Sequence, residues 1–140
     1  MKARLPVLLL VEDNPADANL VEEALALAHF DCGLHIVRDG VQAIEFLDRL
    51  DADPSQARPD LVLLDLNLPR IGGDEVLKRV RLSPRCGSVK VLILSSSNAP
   101  LDRERTMKLG ATDYFRKPST LDQFMELGPK VRALMEEPAQ

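Results

Sequence analysis

The stretch Leu61-Val62-Leu63-Leu64-Asp65-Leu66-Asn67-Leu68-Pro69-Arg70-Ile71-Gly72-Gly73 constrains this chain more than any other. Four apolar residues in succession, without polar alternation, read as a strand buried on both faces, the pattern of a central strand in a parallel sheet. That strand runs straight into a carboxylate. Asp65 is therefore expected at its carboxyl end, the edge of an open α/β sheet where loops converge over a ligand crevice. Pro69 and the Gly72-Gly73 pair then prevent strand or helix from continuing, so a loop follows.

The rest of the chain repeats the theme. Pro6 to Val11 is a second unbroken apolar run, ending in Glu12-Asp13-Asn14-Pro15. Asn14 suits a helix N-cap, Pro15 the first helical position, and Asp17 the first turn, where the helix dipole favours negative charge. Ala18, Val21, Leu25 and Ala28 continue that helix, which is expected to stop near Asp31-Cys32-Gly33. Leu34 to Arg38 reads as a short strand closed by Asp39-Gly40, and Val41, Ile44, Phe46, Leu47 and Leu50 mark a second helix. The polar segment Asp51 to Pro59 is long for an α/β connection. After Asp65, Asp74 is expected to cap a third helix with Val76, Leu77 and Val80 inward, ending at Ser83-Pro84.

Val89 to Leu94 is a fourth strand, ending in Ser95-Ser96-Ser97-Asn98; Pro100 to Leu109 is a fourth helix closed by Gly110; Asp113 to Arg116 is a fifth strand, followed by Lys117-Pro118. Leu121 to Met135 makes the last helix, with a kink or break expected at Gly128-Pro129. The last five residues are expected to fray. Five strands alternating with five helices predict a (βα)5 α/β fold, a five-stranded parallel sheet with helices on both faces. Residues 1–140 read as one domain, its core about 5–135, with no output domain.

Composition removes several classes of function. At 140 residues, 45% apolar and 29% charged, the chain needs no metal or disulfide to sustain a core, and no apolar run approaches the ~20 residues that span a bilayer. Met1-Lys2-Ala3-Arg4 and the apolar run after it imitate a signal peptide, but Pro6 interrupts the run, Glu12-Asp13 ends it and no small-residue cleavage site follows. The net charge of −4 argues against nonspecific nucleic-acid binding, which depends on Lys and Arg neutralising phosphates. Cys32 and Cys86 lack metal-ligand spacing, so a reducing cytoplasm is expected. Cys86, between Arg85 and Gly87, falls in a loop where exposure is expected, as an inert thiol rather than a redox sensor. His29 and His35 are expected at the surface or a strand border. Arg103, Arg105, Lys108, Arg116 and Arg132 form a candidate partner face, although charged helix faces are usually only solvated.

The polar residues at the carboxyl ends of the strands carry the chemistry. Glu12 and Asp13 follow the first strand, Asp65 the third, Ser95 the fourth and Lys117 the fifth, so the topology brings them to one edge. Three carboxylates within about 4 Å repel by roughly 4 kcal/mol per pair at an effective dielectric near 20, which calls for a cation. Hard oxygen ligands select Mg²⁺ or Mn²⁺ over zinc. A carboxylate beside such an ion, with a Lys ammonium and a Ser hydroxyl facing it, suits phosphoryl transfer with Asp65 as nucleophile.

These residues make the chain resemble a response-regulator receiver domain of bacterial two-component signalling, a flavodoxin-like (βα)5 fold. The resemblance rests on Glu12-Asp13, on Asp65 with Pro69 and Gly72-Gly73, on Ser95-Ser96, on Gly110-Ala111, and on Tyr114-Phe115-Arg116-Lys117-Pro118. It implies that Glu12, Asp13, Asp65 and the backbone carbonyl of Asn67 bind Mg²⁺, and that Asp65 is the phosphoacceptor of a histidine kinase. Ser95 would be the switch hydroxyl, Tyr114 the aromatic that moves inward behind it, and Lys117 the phosphate's partner, with Lys117-Pro118 a cis peptide. Glu12 stands where many members have a second Asp. Asn67 and Ser97 flank the phosphorylation site and would tune dephosphorylation. A finer resemblance, carried by Val11 to Asp17, Arg58 to Leu61 and Leu64 to Arg70, is to stand-alone regulators paired with phytochrome-type kinases. It implies a homodimer through the fourth helix, fifth strand and fifth helix.

Two other readings compete. A haloacid-dehalogenase-type phosphatase also uses an Asp nucleophile, Mg²⁺, Ser or Thr, and Lys. It needs a second Asp two residues on, where this chain has Asn67, and its nucleophile follows the first strand rather than the third. A degenerate receiver acting only as a scaffold would not need the full set of acidic, hydroxyl and Lys residues present here. Glycine fingerprints for dinucleotide or nucleoside-triphosphate binding are absent.

Overall fold

The central strand β3 (Leu61–Asp65) is buried along its whole length, with β1 (Val7–Val11) on one side and β4 (Lys90–Ser95) on the other. The computed structural model describes residues 4–137. Within it, β2 (Gly33–Val37) and β5 (Asp113–Arg116) form the two edges, and every pairing in the order β2-β1-β3-β4-β5 is parallel. The order reverses between β1 and β3. This is the switch point of a doubly wound sheet, and the carboxyl ends of those two strands open a crevice there.

Strand alternation sorts the apolar residues into two cores. Leu8, Leu10, Leu61, Leu63, Leu92 and Leu94 face one side, against α1 (Pro15–Leu27) and the C-terminal helices α5 (Leu121–Phe124) and α6 (Leu127–Glu136). Leu9, Val11, Val62, Leu64, Val91 and Ile93 face the other, against α2 (Gly40–Ala52) and α3 (Gly73–Leu82). The unbroken apolar runs of the sequence thus serve two layers at once. The remaining helix, α4 (Pro100–Lys108), buries only Thr106.

Several local expectations need correction. Helix α1 stops at Leu27, short of Asp31, because His29 takes a left-handed φ of 56°. The His29 N–H then donates to Ala26 O and the Phe30 N–H to Leu25 O, a Schellman closure built on a non-glycine residue. Asn14 caps the other end as expected, its side chain accepting from the amides of Ala16 and Asp17. Helix α3 is entered through Gly72 rather than capped by Asp74. A Cβ on Gly73 would stand 2.5 Å from Asp65 O and 2.7 Å from Leu66 Cα, so only glycine lets α3 begin this close to β3.

The final helix breaks at Met125-Glu126, before Gly128-Pro129. Pro129 falls in the first turn of α6, where a missing N–H leaves no intrahelical bond unmade. The segment after α2 is ordered by Arg85, whose guanidinium donates to Leu50 O, Asp53 O and Gln56 O. Cys86, expected to be exposed, is fully buried beside α2 and α3, and burial pushes its thiol pKa up. No cis peptide occurs among the described residues, so Lys117-Pro118 is trans, the form every peptide bond prefers. His29 and His35 lie at the surface, His35 tilted against Phe46 with centroids 4.7 Å apart. Part of the signal-like start, residues 1–3, and most of the end expected to fray, residues 138–140, lie outside the described residues.

Candidate functional site

The crevice at the switch point collects side chains from three loops. Glu12 and Asp13 leave β1, Asp65 ends β3 and Lys117 follows β5, positions as many as 105 residues apart in sequence. One carboxylate oxygen from each of Glu12, Asp13 and Asp65 lies within 4.8 Å of the others. Glu12 is 2% exposed and Asp65 5%, whereas Asp13 opens to solvent.

Lys117 ties the cluster together. Its Nζ donates to Glu12 Oε1 at 2.6 Å, to Asp17 Oδ2 at 2.9 Å and to Asp65 Oδ2 at 3.4 Å. Burial works against its charge, but the bonds to Asp17 and Glu12 and the nearby Asp65 outweigh it and hold the ammonium above the ordinary lysine range. Burial pushes the Glu12 carboxyl up to about 7; Lys117 opposes that shift and Asp65 reinforces it. Backbone amides complete the carboxylates: Asn14 N–H donates to Glu12 Oε2 at 3.2 Å and Asn67 N–H to Asp65 Oδ1 at 3.1 Å.

The donor set fits a small divalent cation. All the donors are hard oxygens, and ligands at about 2.1 Å on opposite sides of one Mg²⁺ are about 4 Å apart, close to the observed span. Lys117 supplies one positive charge to Glu12, Asp17 and Asp65 together, which leaves net negative charge for such an ion.

Ser95 and Tyr114 form a second tier behind the carboxylates. The Ser95 hydroxyl is fully buried and accepts from the Ser97 N–H at 3.1 Å; among the described residues it makes no hydrogen bond to a carboxylate. Ser95 O accepts from the Lys117 N–H at 2.7 Å, joining the ends of β4 and β5. Tyr114 is 6% exposed, with its hydroxyl donating to Ser97 O at 3.0 Å, so the ring already lies inward. Ser97 Oγ donates to Asp102 on α4, and Arg105 carries that link on to Asp74 on α3 at 2.8 Å. Of the candidate partner-face cations, Arg103 pairs with Asp113 and Lys108 with Glu104, while Arg132 points elsewhere and donates to Ala28 O at the end of α1.

Sequence reasoning brought Glu12, Asp13, Asp65 and Lys117 together, and the fold does so too. It missed Asp17, whose place in the first helical turn was explained by the dipole alone. The signal was its position: an acidic residue in the first turn of the helix that starts directly from the Glu12-Asp13 end of β1.

Comparison with known proteins decides the family. The model of the response regulator receiver domain matches residues 8–127. This chain belongs to that family. As a receiver domain it is 36% identical over 121 residues to the response regulator Rcp1 of Synechocystis sp., covering 86% of this chain and 82% of that protein. The structure of the phosphorylated cyanobacterial phytochrome response regulator RcpA superposes with a TM-score of 0.85 at 33% identity, covering 98% of each chain. That of the Mn²⁺-bound form of Rcp1 superposes with a TM-score of 0.82 at 33% identity, covering 96% of this receiver domain and 97% of the other. Among the described residues no helix is long and apolar enough to cross a membrane.

Proposed function

We propose that this receiver domain is a stand-alone response regulator, whose Asp65 accepts a phosphoryl group from the phosphohistidine of a histidine kinase, in a Mg²⁺-dependent step. The observation that carries this reading is the convergence of the Lys117 ammonium on Asp65 and Glu12, beside the open carboxylate of Asp13. Asp65 Oδ would form the new P–O bond as the P–N bond to imidazole breaks, the electron pair leaving with the ring nitrogen. Glu12, Asp13, Asp65 and the Asn67 carbonyl would hold Mg²⁺, or equally Mn²⁺, which would supply charge neutralisation at the phosphoryl oxygens. The Asn67 N–H fixes the Asp65 carboxylate, Lys117 offers its ammonium to a phosphoryl oxygen, and the Ser95 hydroxyl, which accepts from the Ser97 N–H, has its proton to donate to another.

Output would be a binding event on the face of α4, β5 and α6. The Ser95-Ser97-Tyr114-Asp102 links give phosphorylation a route to it, biasing a homodimer or partner surface between two arrangements. Likeness to the phytochrome response regulator RcpA supports a phytochrome-type photoreceptor kinase upstream; the reading includes no nucleic-acid partner, in keeping with the net charge of −4, and no membrane partner. Two free thiols, one of them buried, suit the cytoplasm. On this reading the chain catalyses only its own phosphorylation and dephosphorylation.

Incubation with a radiolabelled acyl phosphate and Mg²⁺ should label the wild type and not Asp65→Asn, with the label lost in alkali. Equal labelling of the two proteins overturns the assignment.

A further inference from the structure

We propose that Asp17 is the positioning residue of Lys117, the counter-ion that keeps its ammonium over the crevice when Glu12 and Asp65 turn to a metal ion. The inference rests on the reading of the crevice as a divalent-cation and phosphoryl site, and concerns how its one cation is shared. Lys117 Nζ has three carboxylate partners, two of which belong to the metal-binding cluster. A divalent ion and an ammonium compete for those two carboxylates, since both are drawn to the same negative charge. Asp17 stands outside the cluster. It comes from α1 rather than from a strand end, and its bond at 2.9 Å is shorter than the one to Asp65 at 3.4 Å. The Lys117 side chain is 11% exposed, so an ammonium displaced from Glu12 and Asp65 has little water to turn to.

Asp17 therefore gives Lys117 a place to stay charged and close. Without it, the ammonium, 11% exposed and with little water within reach, must remain on Glu12 and Asp65, where it blocks the metal. Loss of Asp17 thus weakens metal binding through Lys117, with no contact between Asp17 and the ion.

The test compares wild type with Asp17→Asn, Asp17→Glu and Glu22→Gln. The last removes one exposed charge from the same helix beside Glu12 and Asp13, and makes no bond to Lys117. Calorimetric titration with MgCl₂ should show about tenfold weaker binding in Asp17→Asn, the size of one charge-assisted hydrogen bond, with recovery in Asp17→Glu and under twofold change in Glu22→Gln. The ¹⁵N ammonium signal of Lys117, assigned by its loss in Lys117→Arg, should broaden through faster proton exchange in Asp17→Asn. Unchanged Mg²⁺ affinity in Asp17→Asn, or an equal loss in Glu22→Gln, overturns the proposal, as does an ammonium signal indifferent to Asp17. Failure of acyl-phosphate labelling in a wild type that passes these tests would instead strike the phosphoacceptor reading and leave Asp17 in its role.

Discussion

At the scale of single residues, the crevice pits burial against charge. Glu12 is lifted to about 7 by burial, while the metal proposed for the site needs its carboxylate ionised. Protons and Mg²⁺ thus compete for one group. Apparent Mg²⁺ affinity should rise by up to about tenfold per pH unit from pH 6 until it levels above 7, and in Glu12→Gln it should be weaker and nearly flat with pH. Titration calorimetry at four pH values checks this. A second consequence falls on Asp65→Asn. Removing one of several crowded carboxylates should leave the fold intact and raise its stability by about 1 kcal/mol in chemical denaturation at low salt, less at high salt.

At the scale of elements, anchoring is uneven. Helix α6 is pressed onto α1: a Cβ on Gly128 would lie 2.4 Å from Ala24 O and 2.7 Å from Ala28 Cβ. Gly128→Ala must push the two helices apart, at a cost of about 1–3 kcal/mol, read as a lower denaturant midpoint. Helix α3 is fastened by Arg81, whose guanidinium donates to Gly110 O, Gly87 O and Val89 O. Arg81→Ala would strand those half-buried carbonyls, for a loss of about 2–3 kcal/mol in the same measurement. Helix α4 is the contrast. It buries Thr106 alone and is held by polar links, Arg105 to Asp74, Arg103 to Asp113 and Asp102 to Ser97. An element held by exposed pairs shifts at little cost, which suits one proposed to carry the signal.

For the molecule as a whole, pH acts through groups of opposite sign. Several carboxylates are held below their ordinary range. Burial opposes this at Asp51, Asp60 and Asp113, but bonds from Ser83 and Arg79, from Arg4 and the Val7 amide, and from Lys130 and the Tyr114 amide outweigh it. Such groups stabilise the fold above their unfolded pKa, and that contribution is lost as pH falls through the lower folded value. Glu12 works in reverse: its contribution is complete below about 4.5 and is lost as pH rises through about 7. Thermal denaturation should therefore show stability falling steeply below pH 4. A smaller decline between pH 5 and 7 should vanish in Glu12→Gln.

The sequence alone determined the layers, the parallel sheet and the edge that carries function. Unbroken runs such as Leu61 to Leu64 can be buried only in a two-sided sheet, and parallel strands send every strand-end carboxylate and Lys117 to the same side. What the tertiary structure decided were partnerships at sub-ångström tolerance: Asp17 on Lys117, the left-handed turn at His29, Cys86 under α3, the Lys117-Pro118 bond, and the break ahead of Gly128. Periodicity reports which face a residue belongs to. Which atoms meet across that face depends on close packing of segments far apart in the chain, and no local pattern encodes that.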